Sequence, residues 1–324
     1  MITEEKAQRY RAAEDRLWGY YNAKPKEHFL DLAQPGLKLR VLEIGDGEPV
    51  VFIHGGPNAG STWAPIAQAM QDYRCIILDR PGCGLSEAAD YSQIDDFRIF
   101  AIDVLTSVLD TLAIEQAAIV ASSFGSAWAL WFAEAHPERV SRIAHEGCPP
   151  FLEGAKPSMF MRLMMIKPLG RMIARQTVTE ASQEMNFRQL GHKNLIGSKG
   201  FSPAHVDWGL SLMNDTDTMK NEIAIIQRGS TWFGFRSGLT HHPGFLKRLP
   251  QPMLFLWGEN DPFGSVDVGL RACEVLPNAT LRSFPDSGHL PWLDDPQTHI
   301  RLIRDFLVTN TAPHPDIKEE LVAA

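Results

Sequence analysis

The chain has 324 residues, of which 44% are hydrophobic and 22% charged, and this is enough for a large buried core plus a modest inserted domain. Its formal net charge is −8, and because no run of basic residues interrupts this acidic balance, we expect neither nucleic acid nor an anionic membrane as a partner. No apolar stretch is long enough to span a membrane, so the composition predicts a compact soluble protein.

The amino terminus and the cysteines indicate the compartment. The first six residues, MITEEK, are acidic and lack the apolar core of a signal peptide, so we expect a cytoplasmic location. The four cysteines, at positions 75, 83, 148 and 273, form no close pair. Their spacing favours reduced thiols in or near buried strands over a disulfide framework or a zinc site.

The first predicted element is an amphipathic helix over residues 3–21, in which apolar and aromatic residues recur at helical intervals. We expect it to pack on the core or against a partner subunit, and in the second case the protein would be a homo-oligomer. Residues 28–32 and 37–44 then read as a pair of strands.

Buried strands and helices alternate along the rest of the chain. The clearest connecting helix covers residues 95–112, with an apolar face from Phe97 to Leu112. This alternation predicts a mostly parallel sheet covered by helices on both faces. The buried strands are predicted at residues 50–53, 75–78, 117–120, 142–145, 253–257 and 280–284.

Two adjacent serines lie where a predicted strand turns into a helix-forming stretch. A serine on such a tight turn has a strained backbone, which exposes its hydroxyl and points first-turn N–H groups toward the reacting atom. The turn tolerates only small residues two positions before and after the nucleophile. Ala121 and Gly125 occupy these positions for Ser123, whereas a valine and a phenylalanine would occupy them for Ser122. We therefore predict Ser123 as a nucleophile.

A glycine turn, HGGP over residues 54–57, follows the predicted strand 50–53. Two preorganised N–H donors are needed where negative charge develops on a carbonyl oxygen, and the loss of one costs about 2.7–4 kcal/mol. We assign this oxyanion hole to the N–H groups of Gly56 and Phe124. For His54 we prefer a structural role, in which its side chain braces the turn.

An acid and a histidine follow the last two predicted strands. Asp261 lies just past the predicted strand 253–257, and His289 lies just past the next strand. A serine hydroxyl needs a base within hydrogen-bond reach, and the imidazole needs a carboxylate that fixes its tautomer. We assign these roles to His289 and Asp261 beside Ser123, with Glu259 as the rival acid.

With these residues in place, the chain resembles the α/β-hydrolase superfamily over most of its length, because serine, acid and histidine occur in the order of that family's triad. The stretch LDRPGCGLS, residues 78–86, is similar to the D-x-P-G-x-G-x-S stretch after the fourth strand of many members, and Asp294 and Pro296 follow the histidine. The chain departs from the family at Ala121 and Ser126, where glycines are more usual, so helix and strand are expected slightly farther apart.

The resemblance implies an α/β-hydrolase fold: a mostly parallel sheet with helices on both faces and an inserted helical cap. We place the core at residues 1–147 and 236–324 and the cap at 148–235. The cap holds eight of the eleven methionines, and flexible thioethers suit an adaptable apolar pocket, although helical spacing favours packing for any single methionine. The candidate substrate-binding residues are Met164, Met165, Trp208, Trp232 and Phe233.

These assignments predict a serine hydrolase that forms an acyl-enzyme with a small, largely apolar carboxylic ester and uses neither a metal nor a cofactor. Similar family members cleave carbon–carbon bonds of meta-cleavage products or remove N-terminal proline from peptides, and both alternatives stay open. Asn58 stands where those aminopeptidases usually carry another glycine. Epoxide hydrolases and dehalogenases of similar fold use an aspartate at this turn, so a serine at position 123 argues against both activities. The non-enzymatic alternative is a small-molecule receptor with little turnover.

Overall fold

A computed structural model describes residues 2–193 and 200–309. Eight strands form one sheet, and two short strands form a separate hairpin. The sheet strands are β1 (Lys26–Asp31), β2 (Lys38–Ile44), β3 (Pro49–Ile53), β4 (Arg74–Leu78), β5 (Ala117–Ser122), β6 (Val140–Glu146), β9 (Met253–Gly258) and β10 (Ala279–Phe284), and the hairpin strands are β7 (Ser230–Thr231) and β8 (Gly234–Phe235).

The sheet order is β1-β2-β4-β3-β5-β6-β9-β10. Strand β2 pairs antiparallel with both β1 and β4, and every other neighbouring pair is parallel. Each predicted sheet strand is present, with bounds within two residues of those expected. The predicted fold class, a mostly parallel sheet with helices on both faces, is confirmed.

The apolar runs become central strands because both of their faces are covered. In β3, Val51 and Ile53 belong to the core cluster on one side of the sheet, and Val50 and Phe52 belong to the cluster on the other side. Continuous burial of this kind is typical of parallel strands between two helical layers.

Helices cover both faces: the predicted helices at 3–21 and 95–112 correspond to α1 and α3, and the helix-forming stretch that follows the two serines corresponds to α4. The α-helices are α1 (Glu4–Tyr20), α2 (Ala64–Ala67), α3 (Phe97–Thr111), α4 (Phe124–Ala135), α5 (Met159–Met165), α6 (Lys167–Ile173), α7 (Glu180–Gln189), α8 (Pro203–Asp215), α9 (Thr218–Gly229), α10 (Pro243–Leu246), α11 (Val266–Val275), α12 (Pro291–Asp294) and α13 (Pro296–Val308). Short 3-10 turns cover Gly60–Trp63, Pro137–Arg139 and Ser237–Leu239.

Between β6 and β9 lies the segment that we call the helical insertion, residues 147–252, described over 147–193 and 200–252. It contains α5 to α10, and its only described strands are β7 and β8. The region expected to be a helical cap thus also contains a hairpin, which the sequence did not indicate because two-residue strands are too short to show an alternating pattern. The domain limits at 148 and 235 stay a prediction.

Helix α1 packs on both the core and the helical insertion. Arg9 forms an ion pair with Asp215 at 2.7 Å, and the Trp208 indole N–H donates to the Tyr10 hydroxyl at 3.3 Å. On the core side, Glu14 pairs with the buried guanidinium of Arg40. The helix thus holds the insertion against the sheet.

Within residues 2–193 and 200–309, no helix combines the length and apolarity that crossing a membrane requires. All four cysteines are free, and three of them are buried. Burial raises the pKa of Cys75 and of Cys83 to about 12, so these thiols stay protonated at neutral pH.

The core packing generates a stability prediction. Phe52 is fully buried in β3, whereas Phe29 in β1 is 40% exposed. Phe52→Ala removes a buried ring and leaves a cavity, so we expect it to lower the free energy of unfolding by about 3–5 kcal/mol. The matched control Phe29→Ala is expected to cost less than about 1 kcal/mol. Urea denaturation of the two variants measures the difference, and equal losses would contradict the two-layer core.

Candidate active site

Ser123 lies in the sharp turn between β5 and α4, with φ 47° and ψ −121°. A positive φ is strained for a residue with a Cβ and costs on the order of 1–3 kcal/mol. The turn is close to its neighbours on both sides: a Cβ on Gly125 would overlap the Ile53 carbonyl, and one on Gly55 would lie 2.8 Å from the Ser123 Cβ. A side chain would not fit at either position, so both must be glycine.

The two serines of the turn have different environments. Ser123 lines a large cavity, whereas Ser122 is fully buried. The Ser122 hydroxyl accepts a hydrogen bond from the Gly55 N–H at 3.0 Å. Ser122 thus holds the glycine turn after β3 beside the serine turn after β5, and Ser123 alone of the pair faces open space.

The acid and the histidine meet at the same edge of the sheet. The Nδ1 of His289 lies 2.7 Å from Oδ2 of Asp261, and both residues are buried. Asp261 also accepts hydrogen bonds from the backbone N–H groups of Cys148 and Phe263, each at 2.9 Å. Because a carboxylate only accepts, Nδ1 carries the proton and Nε2 is left as an acceptor. The rival Glu259 is exposed and bonds Ser283 instead.

The sheet topology explains why the serine, the acid and the histidine lie at one edge of the sheet. Parallel strands end at one edge, and Ser123, Asp261 and His289 follow the carboxyl ends of β5, β9 and β10. The chain runs from β3 to β4 on one side and then crosses to β5 on the other side of β3. A crevice forms at such a reversal of strand order, and the glycine turn of residues 54–57 and Ser123 border it.

A turn of the helical insertion holds the backbone around the histidine. The N–H of His289 donates to the Leu190 carbonyl at 2.8 Å, and the N–H of Leu290 donates to Nε2 of His192 at 3.2 Å. The other ring nitrogen of His192 lies 2.8 Å from Asp294. His192 is fully buried, so the insertion fixes the position of the His289 loop.

Two backbone N–H groups border the cavity beside Ser123. Phe124 is the first residue of α4, and Gly56 lies in the glycine turn; both line the cavity. Within residues 2–193 and 200–309, neither N–H donates a hydrogen bond. Free N–H groups at a helix start and in a glycine turn suit a developing negative charge.

His54 braces the glycine turn. Its Nδ1 lies 2.6 Å from the Gly55 carbonyl oxygen, and its Nε2 accepts the Arg80 backbone N–H at 3.0 Å. Burial, and secondarily the nearby Arg80 side chain, hold the pKa of His54 well below the usual 6.5. The imidazole is therefore neutral at physiological pH, with the proton on Nδ1.

The cavity has a volume of about 1320 Å³ and lies between the sheet edge and the helical insertion. Most of its described lining is apolar. Of the predicted substrate-binding residues, Met164 and Trp208 line it. Sequence patterns did not single out several other apolar lining residues, because helical spacing alone does not show which face borders a cavity: Phe151, Leu163, Phe187, Leu212, Met219 and Ile226.

Three predicted substrate-binding residues lie outside the cavity wall. Trp232 is 45% exposed and Phe233 is 90% exposed at the tip of the hairpin. Both project toward solvent because the β7–β8 turn lifts them from the insertion. Met165 packs beside Met164 against α9 without lining the cavity. The expectation is thus corrected for these three residues.

Among the described residues, no group of three or more histidine, cysteine, aspartate or glutamate side chains is arranged to hold a metal ion. Apart from His54, the buried histidines are paired with carboxylates or packed on aromatic rings. His299 pairs with Glu146 at 2.9 Å, and His145 stacks on Phe255 with ring centroids 4.5 Å apart.

A model of the α/β-hydrolase fold family matches residues 48–296. The chain therefore belongs to the α/β-hydrolase family, and it is a hydrolase of that class.

Among its relatives, a 2-hydroxy-6-oxononadienedioate/2-hydroxy-6-oxononatrienedioate hydrolase of Pseudomonas putida is 29% identical over 84% of this chain and 92% of its own length. A 2-hydroxy-6-oxo-6-phenylhexa-2,4-dienoate hydrolase of Burkholderia cepacia is 27% identical over 86% of this chain and 95% of its own. In three dimensions, the carboxylesterase CesB of Bacillus subtilis superposes with a TM-score of 0.74 at 18% identity, covering 94% of this chain and 99% of that chain.

The contacts of His192 generate a prediction. His192→Ala removes the acceptor of the Leu290 N–H and the partner of Asp294, which frees the loop that carries His289. Since His289 is the predicted base, we expect kcat to fall by about 10- to 100-fold with little change in KM, because a misplaced base slows the reaction more than it weakens binding. Steady-state kinetics beside His136→Ala, at a partly exposed histidine far from the cavity, measures this. A normal kcat would show that the loop holds its position without the insertion.

Proposed function

We propose that the protein is a serine esterase that acts through an acyl-enzyme on a largely apolar carboxylic ester. The observation that carries the proposal is the strained Ser123 at the floor of an apolar cavity, at the sheet edge where the His289–Asp261 pair lies. Evolved sites retain such backbone strain where it serves a reaction.

The proposed mechanism has two steps. The unprotonated Nε2 of His289 takes the proton of the Ser123 hydroxyl as the serine oxygen attacks the ester carbonyl, and the Gly56 and Phe124 N–H groups stabilise the oxyanion. His289 then gives this proton to the departing alkoxide. Water, deprotonated by the same imidazole, releases the acid from Ser123. Asp261 keeps the tautomer and balances the charge that develops on the ring.

The charges around the cavity support a neutral substrate. Its described lining carries three carboxylates, on Glu180, Glu184 and Glu222, and a single cation, Arg188. Arg188 already pairs with Glu184 at 2.6 Å. A dienedioate dianion, the substrate in the name of the Pseudomonas putida relative, would enter this wall without a free cationic partner.

Carbon–carbon bond hydrolysis is the second candidate. It is favoured by the relatives at 27–29% identity, whose names state hydrolysis of 2-hydroxy-6-oxodienoates. The fold is shared with esterases and with meta-cleavage product hydrolases, so it does not separate the two reactions. A screen of p-nitrophenyl esters beside a 2-hydroxy-6-oxodienoate does, and turnover of the dienoate with inert esters would overturn the ester proposal.

The serine assignment generates a prediction. Ser123→Ala should lower kcat by about 10⁴-fold or more, because the nucleophile is lost. Ser122→Ala removes a bond to the Gly55 N–H and should cost about tenfold at most. Mass spectrometry after treatment with a fluorophosphonate probe should place the adduct on Ser123. Equal loss in both variants would show that the register is wrong, and an unlabelled wild-type protein would favour a receptor.

The acid assignment is tested in the same assay. Asp261→Asn should fold but lose about 10⁴-fold in kcat, because an amide N–H facing Nδ1 stabilises the wrong tautomer of His289. Glu259→Gln, at the exposed rival acid, is the matched control and should be near normal. Activity should also survive treatment with EDTA, and an EDTA-inactivated enzyme restored by zinc would contradict the serine mechanism.

The two neighbouring methionines of α5 test the role of the insertion. Met164 is 2% exposed and lines the cavity, whereas Met165 packs beside it without lining the cavity. Met164→Ala should lower kcat/KM on octanoate esters far more than on acetate esters, by about 0.8 kcal/mol for each methylene that loses its contact. Met165→Ala should leave the ratio of the two substrates unchanged. Equal losses on acetate and octanoate esters in a folded Met164→Ala variant would show that acyl chains do not lie along α5.

A further inference from the structure

Arg80 is a fully buried cation that contacts both halves of the proposed oxyanion hole. It lies just past β4, in the stretch of residues 78–86, and its side chain has no exposed surface. Its Nε donates to the His54 carbonyl and its Nη2 to the Gly55 carbonyl, each at 2.9 Å. The mechanism proposed above does not use this residue.

The bond to the Gly55 carbonyl acts directly on the Gly56 N–H. That carbonyl and that N–H belong to one peptide unit, which is planar. In a trans unit the two groups point in opposite directions, so a donor that anchors the Gly55 oxygen also fixes the direction of the Gly56 N–H. A charged donor on the oxygen further polarises the unit and strengthens the N–H as a donor.

The second half of the hole is contacted through an aromatic ring. The Arg80 guanidinium carbon lies 5.0 Å from the centroid of the Phe124 ring and 5.8 Å from that of Trp128. A cation over an aromatic face is attracted to it. Arg80 thus connects the start of α4, which supplies the Phe124 N–H, to the turn that supplies the Gly56 N–H.

The helical insertion supplies the counter-charge. Glu222 of α9 is 5% exposed, and its Oε2 lies 3.2 Å from Nη2 of Arg80. A Cβ on Gly56 would overlap this carboxylate, so Glu222 borders the oxyanion turn itself. An uncompensated carboxylate there would oppose a developing oxyanion, and an uncompensated buried guanidinium would be costly. The pair removes both problems.

Neighbouring contacts dock α9 on the same stretch. The Asn221 side chain donates to the Gly82 carbonyl at 2.8 Å, and the Thr218 hydroxyl accepts the Gly84 N–H at 3.0 Å. The amino-terminal half of α9 therefore lies fixed on the loop that carries Arg80.

We propose that Arg80 is a positioning residue that orients the oxyanion hole, and that Glu222 of the insertion completes it by balancing its charge. The hole is then fully formed only while α9 is docked, which ties substrate selection by the insertion to catalysis by the sheet. This proposal rests on the serine-hydrolase function proposed above.

The experiment compares an oxyanion-forming inhibitor with substrate binding. An alkyl trifluoromethyl ketone adds to Ser123 and places an oxyanion in the hole, and its dissociation constant is measured for each variant beside kcat and KM on a p-nitrophenyl ester. The main variant is the double substitution Arg80→Met with Glu222→Leu, because replacing both charges by apolar side chains of similar volume avoids an unpaired buried charge and spares folding. Arg139→Met is the matched control, since Arg139 also donates to backbone carbonyls, those of Glu115 and Ile114, but precedes β6 at the opposite edge of the sheet.

The double variant should lower the affinity for the trifluoromethyl ketone and lower kcat by the same factor, about 10- to 100-fold, and KM should change by less than about threefold. The expected loss is smaller than the 10²–10³-fold loss that follows deletion of an oxyanion-hole donor, because the two N–H groups remain. Arg80→Lys should recover part of the loss, since one ammonium cannot bond both carbonyls as the guanidinium does. Arg139→Met should change neither constant. Inhibitor affinity and kcat equal to wild type in a folded double variant would overturn the proposal and leave a purely structural ion pair.

Failure of the proposed function is distinguishable from failure of this inference. A wild-type protein that forms the Ser123 adduct but turns over no ester contradicts the esterase proposal, while the affinity ratios among the variants still report on Arg80. Unchanged ratios in an active esterase contradict the positioning role alone.

Discussion

The site depends on one close approach, in which the strained serine turn after β5 lies against the glycine turn after β3. Ser123 holds a positive φ, and the space around it leaves no room for a Cβ on Gly55 or Gly125. This packing brings the serine hydroxyl close to the N–H groups of Gly56 and Phe124. Because β3 and β5 are neighbouring parallel strands, the sheet itself keeps the two turns together and offsets the strain.

Around that contact, buried polar side chains connect the sheet to the helical insertion. Arg80 pairs with Glu222 of α9, and His192 of the insertion holds the backbone beside His289. Salt bridges in the interior contribute little net stability, since desolvation offsets their attraction. Under the proposed mechanism these contacts matter for geometry, because they fix the directions of groups that must not reorganise while charge develops.

The cavity explains why one fold serves esterases and carbon–carbon bond hydrolases. The proposed nucleophile, base and acid lie on the sheet edge, whereas the walls of the cavity come largely from the insertion. Substrate preference can therefore change with the insertion while the chemistry stays. In this chain the walls are mostly apolar, and the one cation of the described lining, Arg188, is already paired with Glu184, which supports the proposed preference for neutral acyl groups over a dienedioate dianion.

The sequence by itself determined the sheet, its two helical layers and the order of serine, acid and histidine, because apolar runs of strand length and small residues at a tight turn are local signals. Tertiary structure alone decided which insertion residues border the cavity. Met164 lines it and its neighbour Met165 does not, since one step along a helix changes the face by about 100°. Only the fold also showed the contacts of Arg80, Glu222 and His192. They meet their partners across 25, 142 and 98 residues of chain, and no local pattern records a contact between such distant segments.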